Sequence, residues 1–312
     1  MEISVAAVAE RIKSADRILI LSHHNPDGDT LGSAFGLQKA LDSLEKRSVV
    51  LCSDPFPQKF GYFVEERELD FIPELVVAVD IADVQLFGEK LLPYADRVDL
   101  CIDHHISNTH YAKELCLSPK AAATAEIMVE VIKKLGVPIT AEIANPLYTG
   151  IATDTGCFKF SNTTGNTHRA AAEMIECGAD YTTINRLMFD TKSRARVKVE
   201  QTALSSMEFY LNDECAIIVI PRSLVEETKV DESDLDGVSA MPRQIEGVKA
   251  GITLREREGF YKVSVRTVEP INASDICIEL GGGGHARAAG CTLTGSLEEV
   301  KQKILDVVKK HL

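Results

Sequence analysis

The chain has 312 residues, 45% of them hydrophobic and 26% charged, and its 47 acidic against 34 basic side chains give a formal net charge of −13. That length accommodates two domains of ordinary size. The negative balance argues against a protein that grips long nucleic acid, because neutralising many phosphates needs a basic footprint; a small phosphorylated substrate, or an acidic site filled by metal, remains compatible with it.

No apolar run approaches the ~18 residues of a membrane span. The opening residues Met1 to Arg17 lack the basic region and apolar core of an export signal, so a cytoplasmic location is expected. The 8 cysteines are scattered, with no Cys-x-x-Cys pair, and read as reduced, mostly buried thiols.

Taken in chain order, Arg17–Ser22 is the first predicted strand, followed by a polar loop and a helix over Leu31–Leu44. Ser48–Cys52, Val76–Val79 and Val98–Ile102 are further strands, and helices are expected over Ala123–Leu135, Ala141–Thr153 and Thr167–Cys177. Apolar strands alternating with helices imply a mainly parallel sheet flanked by helices, an α/β class. Thr183–Tyr210 is polar and reads as a connecting helix, with Lys192, Arg194, Arg196 and Lys198 on a solvated face. Strands are then expected at Ala216–Ile220, Ala250–Leu254 and Tyr261–Val265. A helix over Ala273–Leu280, a glycine-rich loop and an amphipathic helix over Leu297–Val308 complete a smaller α/β domain.

Ionisable residues gather where such sheets bind ligands, beyond the carboxyl ends of strands. The first strand runs into Ser22-His23-His24-Asn25-Pro26-Asp27-Gly28-Asp29, the third into Asp80 and the fourth into Asp103-His104-His105, while Asp154 ends an apolar helical stretch. Each has an ordinary reading alone: Asn-Pro-Asp-Gly is a turn, Asp29-Thr30 a helix cap, His104-His105 a hydrogen-bonded pair. Together they place several carboxylates in one cleft, where mutual repulsion calls for cations. Oxygen donors mixed with imidazole suit Mn²⁺ or a relative, and a pair of such ions activates water for attack on phosphorus.

The stretch His23–Ser33, Asp80, Asp103-His104-His105 and Gly150–Asn162 resemble the ordered motifs of DHH phosphoesterases. Gly281-Gly282-Gly283-Gly284-His285-Ala286-Arg287-Ala288-Ala289-Gly290 is similar to the substrate loop of the DHH-associated domain. The resemblance spans residues 22 to 290 and is nearest to the oligoribonuclease/3′-phosphoadenosine 5′-phosphate (pAp) phosphatase group. It implies a DHH catalytic domain over residues 1–185, a linker helix over 186–212 and a DHH-associated domain over 213–312.

The resemblance also implies roles. One metal would be held by His23, Asp27 and Asp80, a second by Asp29, Asp80, His104 and Asp154, with Asp80 bridging. His105 would face the scissile phosphate and Asp103 would orient the histidines. His24 falls outside the ligand spacing. Arg266, Gly282, Gly283, Gly284, His285 and Arg287 would contact substrate, glycine permitting close approach of backbone N–H groups to an anion. The implied cofactor is a pair of Mn²⁺ ions, with Mg²⁺ or Co²⁺ as substitutes. The implied substrates are short RNA, linear dinucleotides and pAp, without long duplex or membrane partners; a homodimer through the catalytic domain is the family expectation. The alternatives are an inorganic pyrophosphatase, disfavoured by the Gly-Gly-Gly-His segment, and a non-catalytic nucleotide sensor, disfavoured because every ligand position is filled. A RecJ-type exonuclease would need a further DNA-gripping domain.

Overall fold

Leu75-Val76-Val77-Ala78-Val79 is an uninterrupted apolar run because the strand it forms is buried on both faces. In the computed structural model, which describes residues 1–230 and 232–312, the chain divides into two compact units, Met1–Thr191 and Lys192–Leu312.

The first unit holds a five-stranded, wholly parallel sheet of β1 (Arg17–Leu21), β2 (Arg47–Leu51), β3 (Leu75–Val79), β4 (Leu100–Asp103) and β5 (Glu114–Leu117), in the order β2-β1-β3-β4-β5. Its helices are α1 (Val5–Lys13), α2 (Gly28–Asp42), a short turn α3 (Gly88–Leu91), α4 (Thr124–Leu135), α5 (Ala141–Asp154), α6 (Gly165–Glu176) and α7 (Tyr181–Asn185). Strand side chains alternate between two cores. Ile18, Ile20, Val77, Val79 and Ile102 pack beneath α1, α2, α4 and α5. Leu19, Leu21, Val76, Ala78 and Cys101 face Phe87, Leu91 and Ala95 on the other side.

Two helices approach unusually closely. A Cβ added to Gly32 of α2 would lie 2.3 Å from the Pro146 carbonyl oxygen of α5, and one added to Gly150 of α5 would lie 2.9 Å from Asp29 Oδ1. Only glycine lets these backbones meet, and the contact brings the start of α2 beside the end of α5.

The second unit contains α8 (Arg194–Ser205), β6 (Glu208–Tyr210), β7 (Cys215–Ile220), α9 (Arg222–Thr228), α10 (Glu232–Ser239), β8 (Ala250–Arg257), β9 (Phe260–Thr267), α11 (Ala273–Glu279), β10 (Gly283–His285), β11 (Ala288–Leu293) and α12 (Leu297–His311). The strands form one sheet, β10-β11-β9-β8-β7-β6, antiparallel except for the β7–β8 pair. Val263, Val265 and Ile252 bury against Ile276, Cys277, Val300 and Ile304 of α11 and α12. On the opposite face Ile218 and Ile220 pack against Val199 of α8, Leu224 of α9 and Leu235 of α10.

Two expectations change. The stretch Thr183–Tyr210 is not one helix: a π-helical turn over Arg186–Asp190 ends where the Thr191 hydroxyl donates to the Arg186 carbonyl, and the Ser193 side chain caps a new helix, α8. Lys192 and Arg196 both pair with Glu200, so part of the basic cluster is already neutralised. The glycine-rich stretch is not a loop. It turns at Gly281 and then becomes an edge strand whose backbone lies so close to β11 that a Cβ on Gly282 would fall 2.2 Å from the Gly290 oxygen. Helix α1 and edge strand β5 had no counterpart in the sequence reading.

Candidate metal centre and substrate-binding face

The sheet order reverses direction between β1 and β3, the place where open α/β sheets bind ligands. His23 follows β1, Asp80 follows β3, and Asp103 ends β4 ahead of His104 and His105. Asp27 caps α2, its carboxylate accepting from the N–H groups of Asp29 (2.9 Å) and Thr30 (3.1 Å). The Thr30 hydroxyl donates to the Val79 carbonyl at 3.0 Å, fastening this first turn beside Asp80. Asp29 accepts from the N–H groups of Thr124 (2.6 Å) and Ala125 (2.9 Å), so it caps α4 rather than its own helix. Asp154 closes α5.

These residues come together in three overlapping groups: His23, Asp27 and Asp80; Asp29, His104 and Asp154; and Asp80, His104 and His105. His104 Nε2 lies 3.6 Å from Asp80 Oδ1, 3.5 Å from Asp154 Oδ2 and 3.9 Å from Asp29 Oδ2. His23 Nε2 lies 3.6 Å from Asp27 Oδ1 and 3.8 Å from Asp80 Oδ2. Asp80 is a non-glycine residue at φ +61°, a sparsely populated conformation that turns its carboxylate into the cluster.

The three histidines are oriented alike. Nδ1 of His23 faces the His24 carbonyl at 2.8 Å, Nδ1 of His104 faces the Ala121 carbonyl at 3.1 Å, and Nδ1 of His105 faces Asp103 Oδ1 at 2.8 Å. Each oxygen can only accept, so Nδ1 carries the proton and Nε2 of a neutral ring is left as a lone pair. For His23 and His104 that lone pair confronts carboxylate oxygens, donor against donor, with Asp29 and Asp80 almost wholly buried. Burial first, then the neighbouring carboxylates, pushes Asp29 and Asp80 well above the usual carboxylate range. Asp154 is pushed up to about 7, by burial and by Asp27. A hard divalent cation resolves all of these conflicts together, and the donor set fits one.

Behind this cluster sits a layer of which sequence reasoning named Asp103 but missed Asn108 and Thr124. Asn108 Nδ2 donates to Asp103 Oδ2 at 2.6 Å, and the backbone N–H groups of His104 and His105 donate to Asp103 Oδ1. Burial raises Asp103, but the bonds from His105 and Asn108 outweigh it and hold the carboxyl below its usual range. The bond from Asp103 in turn raises His105. Thr124 donates its hydroxyl to Asp80 Oδ1 at 2.8 Å. Neither Asn108 nor Thr124 belongs to a recognisable spacing; proximity to Asp103 was the one available hint for Asn108. His24 bonds the Leu86 carbonyl instead and joins none of the three groups.

In the second unit, strand register aligns His285, Ala288 and Arg266 across β10, β11 and β9, with Gly283, Gly290 and Ser264 two residues away. Opposed residues of antiparallel strands share a face, so His285 and Arg266 border a basin floored by small residues; the Arg266 guanidinium is engaged there, Nη1 donating to the Val265 carbonyl at 3.2 Å. A Cβ on Gly283 would meet nothing within 4 Å, whereas Gly282 and Gly284 are demanded by contact with β11. Arg287 lies in the β10–β11 turn and is engaged by the Ile271 carbonyl and by Glu269.

An α/β unit with a candidate divalent-metal centre, followed by a mixed-sheet unit with a cationic basin, is thus the class of molecule on view. The DHH family N-terminal domain matches residues 17–151 and a DHHA1 domain matches residues 213–312. A bifunctional oligoribonuclease and PAP phosphatase NrnA from Thermus thermophilus is 35% identical, the alignment covering 98% of this chain and 93% of that protein. The protein of the same name from Bacillus subtilis is 25% identical over 89% of this chain and 90% of its own. Among solved structures, an exopolyphosphatase-related protein from Bacteroides fragilis aligns with a TM-score of 0.87 at 25% identity, covering 98% of this chain and 95% of that one. The chain belongs to the DHH phosphoesterase family and carries the DHHA1 domain. No helix among the described residues is long and apolar enough to cross a membrane.

Proposed function

We propose that the chain is a divalent-metal-dependent phosphoesterase of small nucleotides: it releases mononucleotides from short oligoribonucleotides and linear dinucleotides and removes the 3′-phosphate of pAp. The observation that carries this reading is the sharing of Asp80 and His104 among three groups of donor atoms at the strand ends. His23, Asp27 and Asp80 would hold one ion; Asp29, Asp80, His104 and Asp154 would hold another. Mn²⁺ is the favoured ion for this oxygen and imidazole set, with Mg²⁺ or Co²⁺ as substitutes. When bound, such ions neutralise phosphate charge and lower the pKa of water.

The chain's own residues do the rest. Asp103, fixed by Asn108, keeps the His105 ring proton on Nδ1 and leaves Nε2 free. His105 is the most exposed of the three histidines, its side chain 42% accessible, and the Asp103 bond raises its pKa; in the protonated ring Nε2–H is placed to donate to a phosphate oxygen or to a leaving group. In the second unit His285 and Arg266 supply anion contacts, with Gly282, Gly283, Gly284 and Arg287 shaping the same edge. Residues 1–185 are assigned as catalytic domain, 186–212 as connection and 213–312 as substrate-binding domain. All 8 cysteines are free, which favours a reducing, cytoplasmic setting. The anticipated assembly is a homodimer through the catalytic domain, to be read from light scattering.

The deciding experiment compares Mn²⁺-dependent hydrolysis of pAp, pApA, five-residue RNA, long single-stranded DNA and pyrophosphate, with Asp80→Ala as control. Preference for pAp, pApA and short RNA supports the assignment. Turnover of pyrophosphate alone would refute it, and nucleotide binding without any turnover would make the chain a sensor.

A further inference from the structure

The cationic basin of the second unit has a neighbour that belongs to none of the motifs described above. The rung His285–Ala288–Arg266 continues onto β8 at Gly251. Gly251 has no side chain, and the space where one would stand is filled: a Cβ there would fall 2.5 Å from the Arg243 backbone nitrogen and 3.0 Å from its Cα. Opposed residues share a face, so the turn Pro242–Gln244 sits on the face that carries Arg266, and Arg243 is seated beside it.

Pro242 is buried and anchors this turn, whereas Arg243 is exposed and has no hydrogen bond or ion pair with any described residue. Other arginines of this acidic chain are neutralised: Arg67 by Asp42 and Glu65, Arg196 by Glu200, Arg222 by Glu226 and Glu258. The sheet face next to Arg243 carries the small residues Gly251, Ser264, Ala288 and Gly290 beside Arg266. Arg243, left without a carboxylate among the described residues, stands on the face that carries Arg266, whose guanidinium is already engaged, one bond running to the Val265 carbonyl; such an unpaired cation is suited to an anion brought by a ligand. Phosphate offers acceptor oxygens to more than one arginine at once.

We propose that Arg243 is a substrate-specificity residue that binds, together with Arg266, a terminal phosphate of the nucleotide. This inference rests on the phosphoesterase reading above and adds to it a phosphate-selecting residue, within the DHHA1 domain, that none of the sequence motifs includes.

The test uses the full chain with Mn²⁺ and three substrates: pApA, its counterpart ApA lacking the 5′-phosphate, and bis(p-nitrophenyl) phosphate, which needs no nucleotide contacts. Loss of a charge-assisted bond in Arg243→Gln is expected to raise KM for pApA about tenfold or more, with kcat little changed. KM for ApA and for bis(p-nitrophenyl) phosphate should stay at the wild-type value, and Arg243→Lys should recover part of the loss. The thermal midpoint should not move, because the side chain is exposed. Equal KM for pApA in wild type and Arg243→Gln would overturn the inference, as would equal losses on pApA and ApA. A wild-type chain that cleaves bis(p-nitrophenyl) phosphate but neither dinucleotide would overturn the parent reading, and this inference with it.

Discussion

The two carboxylate oxygens of Asp80 face different histidines: Oδ2 lies 3.8 Å from His23 Nε2 and Oδ1 lies 3.6 Å from His104 Nε2. One side chain thereby belongs to both halves of the cluster, and its positive φ is the backbone adjustment that allows this. Asp80→Asn keeps the shape and the bond from Thr124 but removes the charge. Because altering groups behind a metal typically costs ~10–100-fold, loss of a shared ligand should lower kcat by more than ~100-fold. The metal content should fall, with an unchanged circular dichroism spectrum. Activity within a few-fold of wild type would remove Asp80 from the centre.

Cation binding should stabilise the fold. Asp29 and Asp80 are buried together, and among the described residues histidines alone come within ion-pair range of them. Mn²⁺ at ~100 times its dissociation constant would add about 2.7 kcal/mol. For a unit of this size that corresponds to a rise of roughly 5–10 °C in the thermal midpoint. Calorimetry with Mn²⁺ and with EDTA reads the effect directly, and coincident midpoints would argue that no metal is held.

Asn108→Ala should act on the rate rather than on binding. It leaves Asp103 Oδ2 without its 2.6 Å donor and loosens the carboxylate that holds the His105 ring. The expected result is a ~10–100-fold lower kcat with KM nearly constant. Asn108→Asp should be worse, since it sets two like charges side by side. A variant in which KM rises and kcat holds would assign Asn108 to substrate contact instead.

Gly283→Val probes the basin. A Cβ at this position meets nothing within 4 Å and valine favours strands, so the fold should persist. The added side chain would project over the floor between Gly290 and His285. Steady-state kinetics should show a raised KM for pAp and short RNA and unchanged cleavage of bis(p-nitrophenyl) phosphate. Unaltered KM for every nucleotide would place substrate elsewhere.

The parallel sheet was legible because its strands are apolar on both faces and alternate with helices. The acids and histidines were legible because they directly follow those strands. Other parts left no comparable trace. Asn108 and Thr124 act through hydrogen bonds to Asp103 and Asp80, and a single polar residue in a turn or at a helix start has no periodicity to reveal it. Edge strand β5 is only four residues long, too short for alternation to be read. Glycine disfavours strands, so Gly283–His285 looked like a loop until tertiary contact with β11 supplied what propensity lacked. The break after Arg186–Asp190 was hidden by the helix-favouring residues on either side.

The contact between α2 and α5 has a consequence for ion size. Asp29 rides on one helix and Asp154 on the other, while Gly32 and the Pro146 carbonyl set how near those helices come. The aperture between the two carboxylates is therefore fixed by main chain rather than by any ligand's own reach. Gly32→Ala would wedge the helices apart, widening the aperture while keeping every donor side chain in the sequence. Such a chain should change its order of activation by Mg²⁺, Mn²⁺ and the larger Ca²⁺, an outcome that an unaltered order would deny. Selectivity by ionic radius would then be a property of a residue that never touches the ion.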